Sequence, residues 1–388
     1  MSVRYGHSCV ICGSLHYVVG IYVHVPFCAR RCGYCDFNTY VLGAGGLTPR
    51  GWIDALHAEL DWHARRLAGF GPVDTVFFGG GTPTLLGDGL LSEVLDAIRQ
   101  VCGLTSGAEV TVEANPETVS QPLLEGLLTS GVNRLSLGMQ SSDENVLTTL
   151  DRLHTPGQAT LCVEEAHQAG FTDVSVDLIY GTPGESLESW RSSLLAALAV
   201  APEHVSCYAL IVEPGTPLAR RIGRGELPVP DDDLMADEYL MADDLLTEAG
   251  LGWYELSNWA RRGHECRHNL GYWRSDDWIG VGPGAHSHVG QRRWWDHKSP
   301  AKWAATVAHG SSPEAGHEIV DDDIAHEERI LLELRLAAGL PLDILTPTEY
   351  ARVPALVGDG LLAQIGDRIV LTRQGRLLAD KVTRDLLD

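Results

Sequence analysis

From residue 21 to about residue 212, short apolar and β-branched runs alternate with stretches whose apolar positions recur every three or four residues. The strand-like runs are Ile21–Val25, Asp74–Phe78, Glu109–Ala114, Asn133–Leu137, Asp173–Ile179 and His204–Leu210. Between them lie helical patterns over Trp52–Leu67, Leu90–Val101, Gln121–Ser130, Gly157–Ala169 and Leu187–Ala199. In the first helix Trp52, Leu56, Leu60 and Leu67 fall near the 3.6-residue period. Repeated strand-then-helix units predict a parallel sheet and an α/β fold. Ligands of such sheets gather beyond the carboxyl ends of the strands.

After Leu210 the alternation stops. Glu213-Pro214-Gly215-Thr216-Pro217 is a turn-rich connector. Asp231–Asp233 precede a helical pattern over Leu234–Gly250 and read as a helix cap rather than a metal site, because acids at a helix start complement its dipole. Trp253–Asn258 reads as a further strand. From about residue 305 the chain becomes helical and charged, with Ile330, Leu331, Leu334 and Ala338 forming the apolar positions of a helix over Ile324–Ala338. Two strands, Leu361–Ile365 and Arg368–Leu371, follow and are joined by Gly366-Asp367. Four segments are expected: a poorly ordered leader over 1–20, a strand-and-helix unit with a parallel sheet over 21–215, an extension over 216–304 and a small C-terminal α+β unit over 305–388.

The loops at the carboxyl ends of the predicted strands hold most of the unusual chemistry. The first strand ends at Pro26 and opens into Cys28, Cys32 and Cys35, a C-x3-C-x2-C spacing that supplies three thiolates in one short loop. A structural zinc would need a fourth ligand, whereas a [4Fe–4S] cube held by three cysteines keeps one iron open. Zinc with a distant fourth ligand, or three unrelated thiols, remain as alternatives; the position directly after a strand favours the cluster. The second strand leads into Gly79-Gly80-Gly81-Thr82-Pro83-Thr84, where glycines let backbone approach a ligand closely. The third ends at Glu113-Ala114-Asn115-Pro116 and the fifth at Asp177-Leu178-Ile179-Tyr180-Gly181, each placing an acid in an apolar run. The fourth leads to Gly138-Met139-Gln140-Ser141, with Arg152 shortly after. Any one of these could be a cap or a structural ion pair. Recurrence at one pole of the sheet points to a polar ligand.

Composition narrows the class. The formal net charge of −23 over 388 residues argues against sequence-independent nucleic-acid binding, which relies on Lys and Arg neutralising phosphates. No apolar run reaches the roughly 18 residues of a spanning helix, and Met1–Gly20 lacks the continuous apolar centre of a signal peptide. Nine cysteines, three of them clustered, fit a reducing compartment with a metal site better than a disulfide framework. The cytoplasm is therefore expected. Cys9 and Cys12 form an isolated C-x2-C within the expected leader, with only His7 and His16 as irregularly spaced companions.

Tyr22-x-His24-x-Pro26-Phe27-Cys28 and Cys32-Gly33-Tyr34-Cys35-Asp36-Phe37 resemble the radical S-adenosylmethionine (SAM) superfamily. The wording is similar to the branch containing oxygen-independent coproporphyrinogen III oxidase and the haem chaperone HemW. The resemblance covers roughly residues 21–380. It implies a partial (β/α)6 barrel with a winged-helix-like C-terminal domain, a [4Fe–4S] cluster on Cys28, Cys32 and Cys35, and SAM on its open iron. By the same resemblance Gly80, Gly81 and Thr82 meet the methionyl amino end of SAM. Glu113, Gln140, Arg152 and Asp177 contact SAM, and Tyr22 and Tyr34 lie beside the cluster. Acids suit ammonium and ribose hydroxyls, and an arginine suits a carboxylate.

Further along, Cys266-Arg267-His268-Asn269-Leu270-Gly271-Tyr272-Trp273 places a histidine beside two large aromatics, which is adequate for one haem axial ligand with ring contacts. A histidine of this kind is, taken alone, more often a satisfied core or surface group. His268, Asn269, Tyr272 and Trp273 resemble the haem motif of the HemW group, which implies haem bound through His268 with Tyr272 and Trp273 against the ring. His286 and His288, in and beside a Gly280–Ser287 segment that resembles one bordering the SAM site, are alternative ligands.

Two functions compete under this resemblance. One is radical oxidative decarboxylation of coproporphyrinogen III. The other is a haem carrier that keeps the cluster and SAM site and passes haem to an acceptor protein such as a membrane-bound haem enzyme, with an electron donor such as flavodoxin or ferredoxin. The family's oxidase carries a further cysteine where this chain has Phe37, and a longer arm before the cluster strand. With His268–Trp273 complete, the carrier is favoured.

Overall fold

The structure, a computed structural model, describes residues 20–64 and 72–388. Cys9, Cys12 and the end of the first predicted helix, including Leu67, lie outside the described residues.

Six strands, β1 (Gly20–Val25), β2 (Val73–Gly80), β3 (Leu104–Ala114), β4 (Arg134–Gln140), β5 (Val174–Tyr180) and β6 (His204–Ala209), lie side by side in chain order. Each pairs in parallel with the next. The connecting helices include α1 (Pro49–Ala64), α2 (Gly87–Val101), α3 (Gln121–Ser130), α4 (Gln158–Ala169) and α5 (Leu187–Ala199), close to the predicted spans. Burial on both faces makes these strands nearly continuous apolar runs. In β5 six of seven residues are buried and the exception is Asp177.

The sheet does not stop at six strands. Beyond β6, strands β7 (Gly252–Glu255) and β8 (Asn258–Ala260) add antiparallel. These divide the single strand expected over Trp253–Asn258. The buried Glu255 carboxylate accepts hydrogen bonds from the Ser257 N–H and the Asn258 amide, which closes a turn inside the apolar run. On the other side, β9 (Trp278–Val281) pairs with β1 in parallel, so β1 has a neighbour on each edge. Strands β10 (His286–Val289), β11 (Arg292–Asp296) and β12 (Glu314–Ile319) follow antiparallel and complete a twelve-stranded sheet.

Asp231 accepts from the N–H groups of Asp233 (3.0 Å) and Leu234 (3.2 Å), so the acidic triplet caps the helix Asp232–Glu248 as expected. The expected helix over Ile324–Ala338 is shorter, Asp322–Glu333, because the chain leaves it to bond β7. There the Ala337 N–H donates to the Tyr254 carbonyl (2.9 Å). A second, smaller core built on Ile330, Leu334, Leu356, Ile369 and Val382 includes the predicted hairpin, Leu362–Ile365 against Arg368–Leu371. Arg376 docks this unit on the barrel, pairing with Asp243 at 2.6 Å and lying 4.5 Å above the Trp253 ring. Among the described residues no helix is long and apolar enough to cross a membrane.

Candidate functional site: a cysteine-lined cavity

A cavity of about 640 Å3 runs along β1–β6, from residues at their carboxyl ends (Gly80, Ala114, Gln140, Ala209) to residues at their amino ends (Arg134, His204). Cys28, Cys32 and Cys35 all border it as free thiols. The loop that carries them is held at several points. Phe27–Cys28 pairs with Tyr40–Val41, the Cys35 N–H donates to the Cys32 carbonyl (3.3 Å), and the Leu218 N–H donates to the Gly33 carbonyl (2.9 Å). Burial pushes the Cys28 thiol up to about 11 and raises Cys35 as well. Three free thiols gathered in one half-buried loop suit a cationic metal centre that would convert them to thiolates. The donor set fits the three-cysteine cluster expected from the sequence.

The glycine run is shaped by close backbone approach. The N–H groups of Gly81 and Thr82 donate to the carbonyls of Val25 and Phe27, each at 2.7 Å, which ties this run to the cysteine loop. A Cβ on Gly81 would sit 2.3 Å from the Phe27 carbonyl oxygen, and Gly80 holds φ +107°. Gly81→Ala should therefore separate the two loops, at a cost of about 1–3 kcal/mol. The expected result is reduced iron content after anaerobic reconstitution together with a lower melting temperature.

Glu113 and Asp177 face the same space but are held differently. The Glu113 carboxylate accepts one hydrogen bond, from the Gly80 N–H (3.1 Å). Burial, then the nearby Asp177, pushes it up to about 8. Asp177 accepts from the hydroxyls of Ser206 (2.7 Å), Ser136 (2.8 Å) and Ser175 (3.3 Å), which oppose the upward push of burial. Glu113 is thus an acid short of partners, suited to an incoming ammonium, and Asp177 is an acid already fixed in place.

Arg152 reaches toward the cysteines from the chain after β4. One guanidinium nitrogen lies 3.6 Å from the Cys32 sulfur, and another donates to Asn115 (2.5 Å) and to the Gly138 carbonyl (2.9 Å). Gln140 sits where the β4–β5 register shifts and holds φ +65° although it is not glycine. Such backbone is strained and recurs at functional sites. Tyr22 starts a short chain of hydrogen bonds. Its hydroxyl bonds His24 Nδ1 (3.0 Å), and His24 Nε2 bonds the Asn38 carbonyl (3.0 Å), which requires the proton on Nε2 and makes Tyr22 the donor. Tyr34 borders the cavity beside Arg152 and the cysteines, and burial raises its phenol.

The haem motif forms a short helix, α6 (Arg267–Trp273), whose His268 and Tyr272 border the same cavity. The helix start is fixed by Glu109, which accepts from the N–H groups of Arg267 and His268, each at 3.0 Å. Both ring nitrogens of His268 are engaged: Nδ1 with the Thr75 hydroxyl and Nε2 with the Tyr272 hydroxyl, each at 2.8 Å. The ring stacks on Phe77 (5.2 Å), and burial lowers it to about 3, so it is neutral at physiological pH. Trp273 is half-buried and does not line the cavity; Trp278 of β9 takes the edge-on contact with Tyr272 at 4.8 Å. His286 stacks on Trp295 and His288 lies edge-on to Trp278, both outside the cavity lining.

Sequence reasoning did not assign Asn115, Ser136, Ser175, Ser206, Thr75 or Glu109 to the site. The serine set was available in principle, since strand register puts Ser136 beside Ser175 and Asp177 beside Ser206. It needed the parallel pairing to be aligned residue by residue.

The family model of the radical SAM superfamily matches residues 22–196. The chain is 51% identical to the haem chaperone HemW of Mycobacterium tuberculosis (strain H37Rv), over 95% of this chain and 94% of that one. It is 33% identical to HemW of Bacillus subtilis (strain 168), over 93% and 97%. Coproporphyrinogen III oxidase (HemN) from Escherichia coli, described as a radical SAM enzyme, superposes with a TM-score of 0.84 at 23% identity, covering 96% of this chain and 91% of the other. That likeness establishes the α/β barrel fold. With relatives this similar from end to end, the chain belongs to the radical SAM superfamily and, within it, to the HemW family.

Proposed function

We propose that the protein is a haem chaperone that carries a SAM-ligated [4Fe–4S] cluster, binds haem and passes it to an acceptor protein, with an electron donor such as flavodoxin or ferredoxin serving the cluster. The observation that carries this reading is the end-to-end likeness to curated haem chaperones, 51% over 95% of the chain. Cys28, Cys32 and Cys35 would hold the cluster, which when bound supplies one-electron chemistry.

The chain's own groups then bind and orient. Gly80, Gly81, Thr82 and Glu113 form the end suited to the SAM ammonium, where the lone bond on Glu113 leaves lone pairs for a cationic donor. Arg152 offers positive charge beside Cys32 and suits the ligand carboxylate. Gln140 and the serine-bound Asp177 suit ribose hydroxyls. Tyr22 and Tyr34 wall the space beside the thiols.

His268 serves best as a positioning residue. Haem ligation through it would require the Thr75 or Tyr272 hydroxyl to give up its ring nitrogen. In this structure the imidazole ties α6 to β2, and Trp273 stands apart from the cavity. The reading is tested anaerobically with the reconstituted full-length protein. The expected result is saturable binding of haemin, with no protoporphyrinogen formed from coproporphyrinogen III, SAM and reductant. Product formation, or failure to bind haemin, would overturn it.

A further inference from the structure

The two histidines that line the cavity, His204 and His268, have both ring nitrogens engaged. His204 bonds Ser175 (2.7 Å) and the Tyr254 hydroxyl (2.8 Å), and His268 bonds Thr75 and Tyr272. Neither offers a free lone pair to a metal in the ring of a tetrapyrrole. The other feature of this cavity is its rim. Phe37 is 61% exposed and Ile211 68%, and both line the cavity; Tyr208, 41% exposed, lines it as well, with its phenol buried toward Asp177 and Ser206. Phe37 comes from the loop after β1, Tyr208 from β6 and Ile211 from just beyond it, the first and last of the six barrel strands. Single exposed apolar residues are ordinary, but apolar groups gathered at one ligand cavity mark a contact surface.

Cations flank the same edge. Arg30 borders the cavity and pairs with Asp151 at 2.6 Å, and Arg31 donates to the Phe37 carbonyl at 3.2 Å. Both are exposed, and each guanidinium has donors beyond those bonds. Asp36 and Glu213 also line the cavity, so cationic and anionic groups share its wall. In a chain with net charge −23, two adjacent arginines beside an exposed phenylalanine are a specific arrangement. A flat apolar ring with carboxylates on one edge matches it in shape and in charge.

We infer that haem is seated at the cavity mouth, its ring between Phe37 on one side and Tyr208 and Ile211 on the other, and its propionates on Arg30 and Arg31. This rests on the chaperone reading above and adds where and by what contacts haem is held. Seating by ring face and carboxylate implies that the iron is not needed for binding. Metal-free protoporphyrin should compete with haem, whereas an axial histidine would discriminate against it.

The experiment titrates haemin into the cluster-reconstituted full chain under anaerobic conditions, with protoporphyrin IX as competitor and protoporphyrin dimethyl ester as the uncharged probe. Ile211→Asp and Phe37→Ser should each weaken haemin about tenfold or more, as loss of a buried apolar side chain predicts. Iron content and the SAM-induced change in the cluster's electron resonance signal should stay at wild-type level. The double variant Arg30→Ala, Arg31→Ala should weaken haemin but not the dimethyl ester, and His268→Ala should keep haemin affinity within about twofold of wild type. Unchanged affinity in both rim variants, or loss of binding in His268→Ala with protoporphyrin IX failing to compete, would overturn the seat while leaving the chaperone reading intact. Absence of haemin binding by the wild-type protein would remove the chaperone reading and the seat together.

Discussion

Replacing any one of Cys28, Cys32 and Cys35 by alanine is expected to abolish the iron–sulfur chromophore of the anaerobically purified protein. The three thiols share one short loop that borders the cavity. The remaining cysteines of the barrel are spread apart. Cys162 and Cys207 are buried in the core and Cys102 is half-buried at the end of α2, while Cys266 borders the cavity but is buried at the start of α6, its thiol donating to Glu109 at 3.6 Å. Iron per chain, the visible absorbance and the electron resonance signal should fall together. The fold should survive, because the loop is also held by backbone bonds among Pro26, Cys28, Tyr40 and Leu42 at 2.7–2.9 Å. A variant that kept its full iron content would exclude that cysteine as a ligand.

The second large effect belongs to Glu113. Its carboxyl is pushed up to about 8 by burial and by Asp177, so the ligand-free protein holds a proton there at neutral pH. An ammonium ligand requires the ionised form. SAM affinity should therefore rise with pH, flatten near pH 8, and be accompanied by proton release when binding is measured at pH 7 in buffers of different ionisation enthalpy. Glu113→Gln should remove that slope and weaken SAM by about ten- to a hundredfold, the range of a charge-assisted hydrogen bond. Stability should move the opposite way. A carboxyl whose folded pKa lies above its unfolded value binds more protons when folded, so the wild-type protein loses stability as pH rises from about 4.5 to about 8. The glutamine variant lacks that loss and should melt a few degrees higher at pH 8, the usual opposition between binding and stability at a site. Equal pH slopes for the two proteins would show that Glu113 does not meet the ammonium.

The sequence made the barrel legible because each parallel strand is a buried apolar run interrupted by one informative residue. Asp177 in β5 is the clearest case, conspicuous in the pattern and half-buried in the structure. The cysteine loop, the glycine run and the acids were readable for the same reason: they break local rules at one pole of the sheet. Long-range pairing was not. Nothing local to Trp278–Val281 indicates that it extends the sheet beside β1, since parallel pairing across some 250 residues leaves no periodic trace. Local pattern also misled at Glu255, where a buried acid closes a turn within an apolar run, and at Leu336, where tertiary bonding to β7 ends a helix early. The sequence offered His268 as a haem ligand, and the structure sets it in the cavity lining. Its engagement at both nitrogens depends on Thr75, almost two hundred positions earlier in the chain, which composition and spacing cannot reveal.

The ninth strand gives β1 a bonded partner on both flanks, so the segment leading to the thiols lies inside a continuous sheet and not at its margin. Local opening draws on margins, where few bonds must break. The stem of the cysteine loop can therefore fray only with the body of the molecule. Hydrogen exchange along Gly20–Val25 would then report global unfolding, and slow loss of iron from the intact protein would reflect attack through the open mouth of the barrel, not release from a loosened stem.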